Sequence, residues 1–571
     1  VADTSKSYSL KDFYQQAGLT DYPDWVSRIE VTPSGVRGYI PRPYQISGLN
    51  HLAAFSPRCA IWDDPGTGKT LQLQAFMIWI ASLGNKCVGV MPPALVTQFQ
   101  DSLINNFRGV EKHLKVGVVN GDKAERQRQI DAFNATGWAD ILILSYPTFL
   151  GRQRAVRRNT LTAKKQAELN QLSEEENFRA RSDLAKEAAE RFSIENKKYL
   201  WYPKKEVSAL NFKGEVLEHL GYNMLIADEA HKLKKPSSAI HKAVRDFVKP
   251  WEGGNSNGLV LATGSPIETN VEDAFGLISL LDPTKYKSMK AFDYKHCVLL
   301  QGVRYRKVLR YKNLDYLYVS LYAKGRRMTK KQAFPDMPAR VMTEVHVTLS
   351  KQHINLYNKL VTEQVLELED KLIDGTAQQK MYQYVQQILL CPEKFTDTNI
   401  KDNALLEAIA DVVDSLTGRK VLIFSWYQHS ILKLREHFSK YNPAVINGQV
   451  TGDKRDAEKR RFIDDPSCKM MIANPLSGGV GIDGWQTVCS YIVFAEVCPF
   501  PGAFEQSIGR LERSGQTETV NVFLFVPTNT IAVKLRNDLI KKEWNANKAV
   551  RDKKQLLSEM FSNEFIEGSF E

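Results

Sequence analysis

Only seven cysteines stand in 571 residues, at 59, 87, 297, 391, 468, 489 and 498, and none forms a CxxC pair or has a histidine-rich neighbourhood. Neither a zinc site nor a disulfide framework is indicated, and a reducing compartment is expected. No run reaches the roughly 20 apolar residues that span a bilayer, so no membrane partner is expected. The first residues, VADTSKSYSL, lack the basic, apolar and small-residue order of a secretory signal, which points to a cytoplasmic protein. A repeat period of the solenoid or propeller kind is also missing. What is present is the balance of an ordinary globular chain, 43% hydrophobic and 25% charged. The length corresponds to about four domain-sized units, enough to bury several cores without covalent staples. Lys plus Arg number 77 against 65 Asp plus Glu, a net +12 that suits a polyanionic partner, although many basic proteins have none.

Short apolar runs alternate with helical stretches from Arg58 to Thr263: CAIWDD, KCVGVMP, LKVGVVN, ADILILSY, MLIAD and LVLAT. Alternation of this kind predicts a parallel sheet wound with helices. A second series, KVLIFS, PAVING, KMMIAN, SYIVFAE and VNVFLFV, begins at Lys420 and predicts a second α/β unit. Between them, from about Leu281 to Gly418, helical periodicity such as Ile354, Leu356, Leu360 and Val361 predicts a helical bridging region. One segment interrupts the first series. From Gly151 to about Trp201 apolar clustering fades, and Arg152, Arg154, Arg157, Arg158, Lys164 and Lys165 lead into mixed charge, the pattern of an inserted helical hairpin facing solvent or a partner. The expected boundaries are an extension over 1–40, a first lobe over 41–285 with the insertion at about 151–205, a bridge over 286–418, a second lobe over 419–545 and a tail over 546–571.

After CAIWDD come Pro65, Gly66, Thr67, Gly68, Lys69 and Thr70, then LQLQAFMIWI, whose Leu73, Phe76, Met77 and Ile80 share one helix face. Glycines in such a loop let backbone N–H groups converge on phosphate oxygens at a helix N-terminus. Lys69 is placed to reach the β and γ phosphates of ATP and the Thr70 hydroxyl to ligate Mg²⁺. Asp63 stands where the first glycine of GxxxxGK[ST] belongs. The stretch Met224 to His231, MLIADEAH, is an apolar strand ending in two carboxylates. Phosphoryl transfer needs one group to hold Mg²⁺ and another to orient the attacking water, roles that fall to Asp228 and Glu229. His231 is either an ordinary surface histidine or a relay between the lobes.

These motifs, together with ATGSP at Ala262 to Pro266, LSGGVGID at Leu476 to Asp483 and QSIGRLERSGQ at Gln506 to Gln516, resemble the motor motifs of helicase superfamily two. The chain is most similar to the Swi/Snf-type branch of double-stranded DNA translocases. PRPYQISGLNHL resembles that branch's Q motif, TGSPIETNVEDAFGLISLLDP its third motif, RRMTKK its inter-lobe element and VLIFSWYQHS its fourth motif. Asp63 is that branch's usual loop variant. Two departures stand out: Cys498 and Pro499 replace a common Trp-Asn-Pro, and Asp483 replaces an asparagine. The resemblance covers roughly Pro41 to Leu539 and implies two RecA-like parallel-sheet lobes joined by the helical bridge, with the charged helical insertion in the first.

The resemblance further implies that Gln45 reads adenine with Tyr44 or Arg42 packed nearby, that Gly66, Thr67, Gly68, Lys69, Thr70 and Asp483 belong to the nucleotide site, and that Arg510 and Arg513 act as arginine fingers, with Gln506 one helical turn earlier. Thr70 and Asp228 hold Mg²⁺ in this reading. Candidate DNA grips are the loop Met91 to Gln100 with Pro92, then Ser145, Tyr146, Ser425, Trp426, Ser477 and Gly478, whose hydroxyls and backbone N–H groups suit phosphates rather than base edges. The bland alternative at each is a strand end, and Trp426 also suits a core. The implied activity is ATP-driven translocation on double-stranded or branched DNA by a monomer. Alternatives are a strand-separating DNA or RNA helicase and an ATPase that recycles RNA polymerase. A chain without reader modules fits a bacterial or phage source and a cytoplasmic location, otherwise a nuclear one.

Overall fold

Parallel strands covered on both faces need near-continuous apolar runs, and the runs named above are buried as such strands in the computed structural model. The structure describes residues 8–33, 39–150, 217, 220–249, 256–300, 306–369, 384–395, 403–416, 418–450, 453–475, 484–497 and 500–550. The insertion at 151–205 and the tail beyond 550 lie outside them. Two compact units are formed, one from Val1–Cys59, Thr70–Glu229 and Lys235–Leu261, the other from Ala60–Lys69, Ala230–Lys234 and Ala262–Glu571.

The strands β1 Arg58–Ile61, β2 Lys86–Met91, β3 Val116–Val119, β4 Ile141–Ser145, β5 Tyr222–Asp228, β6 Gly258–Ala262 and β7 Gly325–Arg326 make one sheet in the order β7-β1-β6-β5-β2-β4-β3. The pairs β5-β2, β2-β4 and β4-β3 are parallel, as the alternating pattern predicts. The helix Lys69–Ser82 was expected to bury one face. It buries Leu71 to Ile78 without interruption, because it is a central helix enclosed on all sides. The N-terminal stretch is built into the first unit: Ser9 caps the helix Leu10–Gln16 with Asp12 completing the box, Phe13 and Tyr14 are fully buried, and the Tyr14 hydroxyl donates to the Ala75 carbonyl at 2.8 Å.

The strands β8 Arg340–Val347, β9 Lys420–Phe424, β10 Ala444–Ile446, β11 Met470–Ala473, β12 Cys489–Phe494 and β13 Val520–Pro527 form a second sheet in the order β8-β13-β12-β9-β11-β10, parallel throughout. β9 lies between β12 and β11, near the middle of the sheet. The bridging region carries the expected helices, Met289–His296, Leu314–Tyr322, Lys351–Glu369 and Ala404–Ser415. It also holds strands. Cys297–Leu299 pairs antiparallel with Val308–Tyr311, and β7 and β8 supply an edge to each of the two large sheets.

Candidate nucleotide-hydrolysis site

The loop after β1 belongs to the second unit and turns on two glycines, Gly66 at φ +85° and Gly68 at φ +82°, values that L side chains rarely adopt. Thr67 donates its N–H and hydroxyl to the Asp64 carbonyl at 3.3 and 2.8 Å. The Lys69 ammonium donates to the Asp63 and Asp64 carbonyls at 2.7 and 3.1 Å. Asp63 has no left-handed backbone, so nothing in its conformation demands the glycine it replaces. Its fully buried carboxylate accepts the Met328 N–H at 2.8 Å, and that of Asp64, also fully buried, accepts Arg327 Nη2 at 2.9 Å.

Lys69 opens the helix whose next residue, Thr70, is half-buried. Thr70, Asp228 and Glu229 lie in the first unit. β5 ends at the nearly buried Asp228, whose Oδ1 accepts the Glu229 N–H at 2.9 Å. Glu229 adopts φ +52°, a left-handed conformation that costs a non-glycine residue on the order of 1 kcal/mol and turns the chain sharply after the strand. The Tyr146 hydroxyl donates to the Asp228 carbonyl at 2.7 Å. Burial, and then the charges of Asp228 and Glu229, push the phenol well above its ordinary range, so it stays a donor. The Thr70 hydroxyl and the Asp228 carboxylate are hard oxygen donors of the kind that would hold Mg²⁺, which would neutralise charge on phosphate oxygens.

The residues after Glu229 join the second unit. His231, expected as a surface group or relay, is buried, with Nδ1 3.2 Å from Thr263 Oγ1 in the ATGSP turn. Lys234 donates to Glu268 at 2.6 Å and Thr269 at 2.8 Å, so its charge is spent internally. Burial would raise the Glu268 carboxyl, but the charges of His231 and Lys234 outweigh it and hold the group below its ordinary value. Asp273 accepts the N–H groups of Glu268, Thr269 and Asn270.

Gln506, half-buried, lies on the helix Pro501–Ile508. Arg510 and Arg513 were expected on one face of that helix, and here the structure corrects the sequence reading. The helix stops at Ile508, and both arginines follow on turns closed by Gly515 at φ +92°. Arg513 Nε donates to the Gly509 carbonyl at 3.2 Å. Its side chain runs along the Gly66 to Gly68 loop, because a Cβ added at Gly66 would stand 3.2 Å from Arg513 Cβ. Arg510 is nearly buried.

The other candidates differ in placement. Gln45 is buried, and its Oε1 accepts the Arg42 N–H and the Tyr39 hydroxyl, both at 2.8 Å, which is a helix-start role. Arg42 is exposed. Pro92 is buried beneath the exposed Pro93, Ala94, Thr97 and Gln98, which are the accessible part of that loop. Ser145 is buried with its hydroxyl 2.8 Å from Thr148 Oγ1, so it and Tyr146 brace the turns after their strands instead of facing outward. Ser425 is fully buried and donates to Glu496 at 3.2 Å, whereas Trp426 is half-buried, its ring edge-on to Phe500 at 6.0 Å. Ser477, Gly478 and Asp483 lie outside the described residues. Sequence reading missed the partners of the loop, Arg327 and Lys330, and the buried Glu496. RRMTKK stood out as a motif, but nothing in it names which carboxylates it meets.

Residues 44–396 match the family model described as SNF2-related domain, and residues 401–515 the helicase conserved C-terminal domain. Among curated proteins, the chain is 22% identical over 564 residues to the CHD3-type chromatin-remodeling factor PICKLE of Arabidopsis thaliana, covering 94% of this chain and 36% of that protein. It is 23% identical to the human SWI/SNF-related matrix-associated actin-dependent regulator of chromatin subfamily A member 1, covering 90% of this chain and 44% of that protein. The chain thus spans less than half the length of these relatives. A solved SWI2/SNF2 ATPase core of Sulfolobus solfataricus in complex with dsDNA aligns with a TM-score of 0.35 and 18% identity, covering 89% of this chain and 92% of that one. With its first model alone matched over more than half of the sequence, the protein belongs to the SNF2-related domain family, ATP-hydrolysing motors of helicase superfamily two.

Proposed function

We propose that the chain is an ATP-driven translocase on double-stranded DNA that remodels DNA structures or the proteins bound to them. The observation that carries the hydrolytic part is the packing of Arg513 against Gly66, which brings a cation to the loop built for phosphates. The duplex substrate is supported by the relatives named for chromatin remodelling and by the net charge of +12.

In this reading the backbone N–H groups of Gly66 to Lys69 and the Lys69 ammonium bind the phosphates, and the buried Gln45 orients the adenine. Thr70 and Asp228 hold Mg²⁺, which supplies charge neutralisation on the phosphate oxygens. Glu229, fixed by its strained backbone at the strand end, orients and deprotonates the attacking water. Arg513, with Arg510 beside it in sequence, stabilises charge that develops only as the phosphoryl group transfers. Grips on the DNA backbone fall to the loop after Pro92, to Trp426 and to the segment with Ser477 and Gly478.

ATP hydrolysis measured without nucleic acid and with single strands, duplex, branched DNA and RNA tests the reading. Duplex is expected to stimulate most, with affinity falling as salt rises because phosphate contacts release counterions. Stronger stimulation by RNA than by duplex would replace the translocase with a strand-separating helicase.

A further inference from the structure

A closed circuit of contacts, all within the second unit, links the phosphate loop to the arginine-bearing turn. The fully buried Asp64 carboxylate accepts Arg327 Nη2 at 2.9 Å and the Lys330 N–H at 3.0 Å, while the Asp64 N–H donates to the Met328 carbonyl at 2.9 Å. Asp63 adds the Met328 N–H at 2.8 Å. The segment 327–330 is therefore tied to the loop through its backbone as well as its charges. Lys330 then turns the other way. Its ammonium donates to Glu512 Oε2 at 2.9 Å, and a Cβ added at Gly509 would lie 3.3 Å from Lys330 Nζ. Glu512 directly precedes Arg513, whose side chain returns to Gly66.

A surface ion pair would hold little, since water and salt replace it cheaply. The Lys330 and Glu512 side chains are only 11% and 16% exposed, so each is left badly solvated if the other moves. Neither residue has a role in the chemistry above, yet together they bridge the loop's anchor and the turn that carries the arginine. We infer that Lys330 and Glu512 are positioning residues for hydrolysis: their pair sets where the Arg513 side chain stands against the Gly66 to Lys69 loop. The inference rests on the reading of Arg513 as the group that stabilises phosphoryl transfer. A misplaced arginine loses transition-state stabilisation while the loop still binds nucleotide, so the defect belongs in kcat and not in KM.

The test is steady-state ATP hydrolysis at saturating duplex DNA, with binding of a fluorescent ATP analogue, for Lys330→Glu, Glu512→Lys, the swapped double variant and Arg513→Ala. Each single reversal is expected to lower kcat about tenfold or more, with KM and analogue affinity within about threefold of wild type. The swap is expected to recover kcat to within about threefold, because it restores opposite charges at one place. Wild-type kcat in both single reversals would overturn the inference, as would a swap no faster than the singles. If a reversal fails to fold, Lys330→Gln and Glu512→Gln take its place, with a kcat loss of at least about threefold at unchanged KM expected and unchanged kcat overturning it. Arg513→Ala separates the two claims. Wild-type turnover there sinks the arginine-finger reading itself, whereas slow Arg513→Ala beside normal pair variants sinks only this inference.

Discussion

The carboxyl ends of β1 and β9 both meet buried carboxylates, and the two ends are built on different chemistry. Beyond β1, Asp63 and Asp64 face guanidinium groups, Arg326 at 3.9 Å and Arg327 at 2.9 Å, and a glycine loop follows. Beyond β9, Glu496 receives the Ser425 hydroxyl and the Trp426 N–H, each at 3.2 Å, with the Ser430 hydroxyl as a further donor, and the helix Gln428–His437 follows without a glycine. Burial pushes the Glu496 carboxyl up to about 7, because neutral donors only partly offset desolvation. A buried carboxylate matched by a cation serves as an anchor, whereas one matched by hydroxyls titrates close to neutral pH. The glycine loop proposed to hold phosphates has the first kind.

The widest expected separation between the two ends is in nucleotide binding. Lys69→Ala should weaken ATP binding by about 10² or more by removing a charge-assisted contact, while Ser425→Ala should leave it within about twofold. Calorimetry giving equal losses would erase the distinction. Next comes Arg513→Ala, where hydrolysis should fall by about 10² with ATP binding nearly normal, since the arginine acts on charge present only in the transition state. Equal loss of binding and rate would assign it to ground-state binding instead.

Glu496 sharpens the comparison through pH. Its carboxyl is raised from the ordinary 4.5, so the native state holds a proton that the unfolded chain releases, and the stabilisation is complete below about 4.5 and lost as pH rises through about 7. Glu496→Gln should flatten that decline, by roughly 3 kcal/mol between the ends of the window, in urea unfolding followed against pH. A parallel decline in the variant would assign the slope to another group. The smallest effect expected is in Glu229→Gln, which should bind ATP and hydrolyse it about tenfold more slowly, because an amide orients but does not deprotonate water. Single-turnover hydrolysis at the wild-type rate would remove Glu229 from the chemistry.

Much of the architecture was legible because buried parallel strands write themselves as uninterrupted apolar runs: ILILS, MLIAD and KVLIF each lie within an observed strand. The short or half-exposed strands escaped. β7 is two residues long, and β8 alternates burial along an edge, so neither stands out inside a helical stretch. The helix carrying Gln506 was read too far, since Arg510 and Arg513 keep helical spacing while the regular helix stops at Ile508 and the Arg510 N–H turns to the Ser507 carbonyl instead.

Residue order alone determined the glycine loop, its lysine and the acid pair, because strand, glycine turn and helix are consecutive in the chain and their geometry is local. Partnership was decided elsewhere. That Asp64 meets Arg327 across 263 positions, that Lys330 reaches Glu512 across 182, and that Tyr146 supports the Asp228 carbonyl across 82 depend on which elements the sheets and their connections bring together. A buried charge or hydroxyl must find a partner somewhere, and only tertiary packing selects which one it finds.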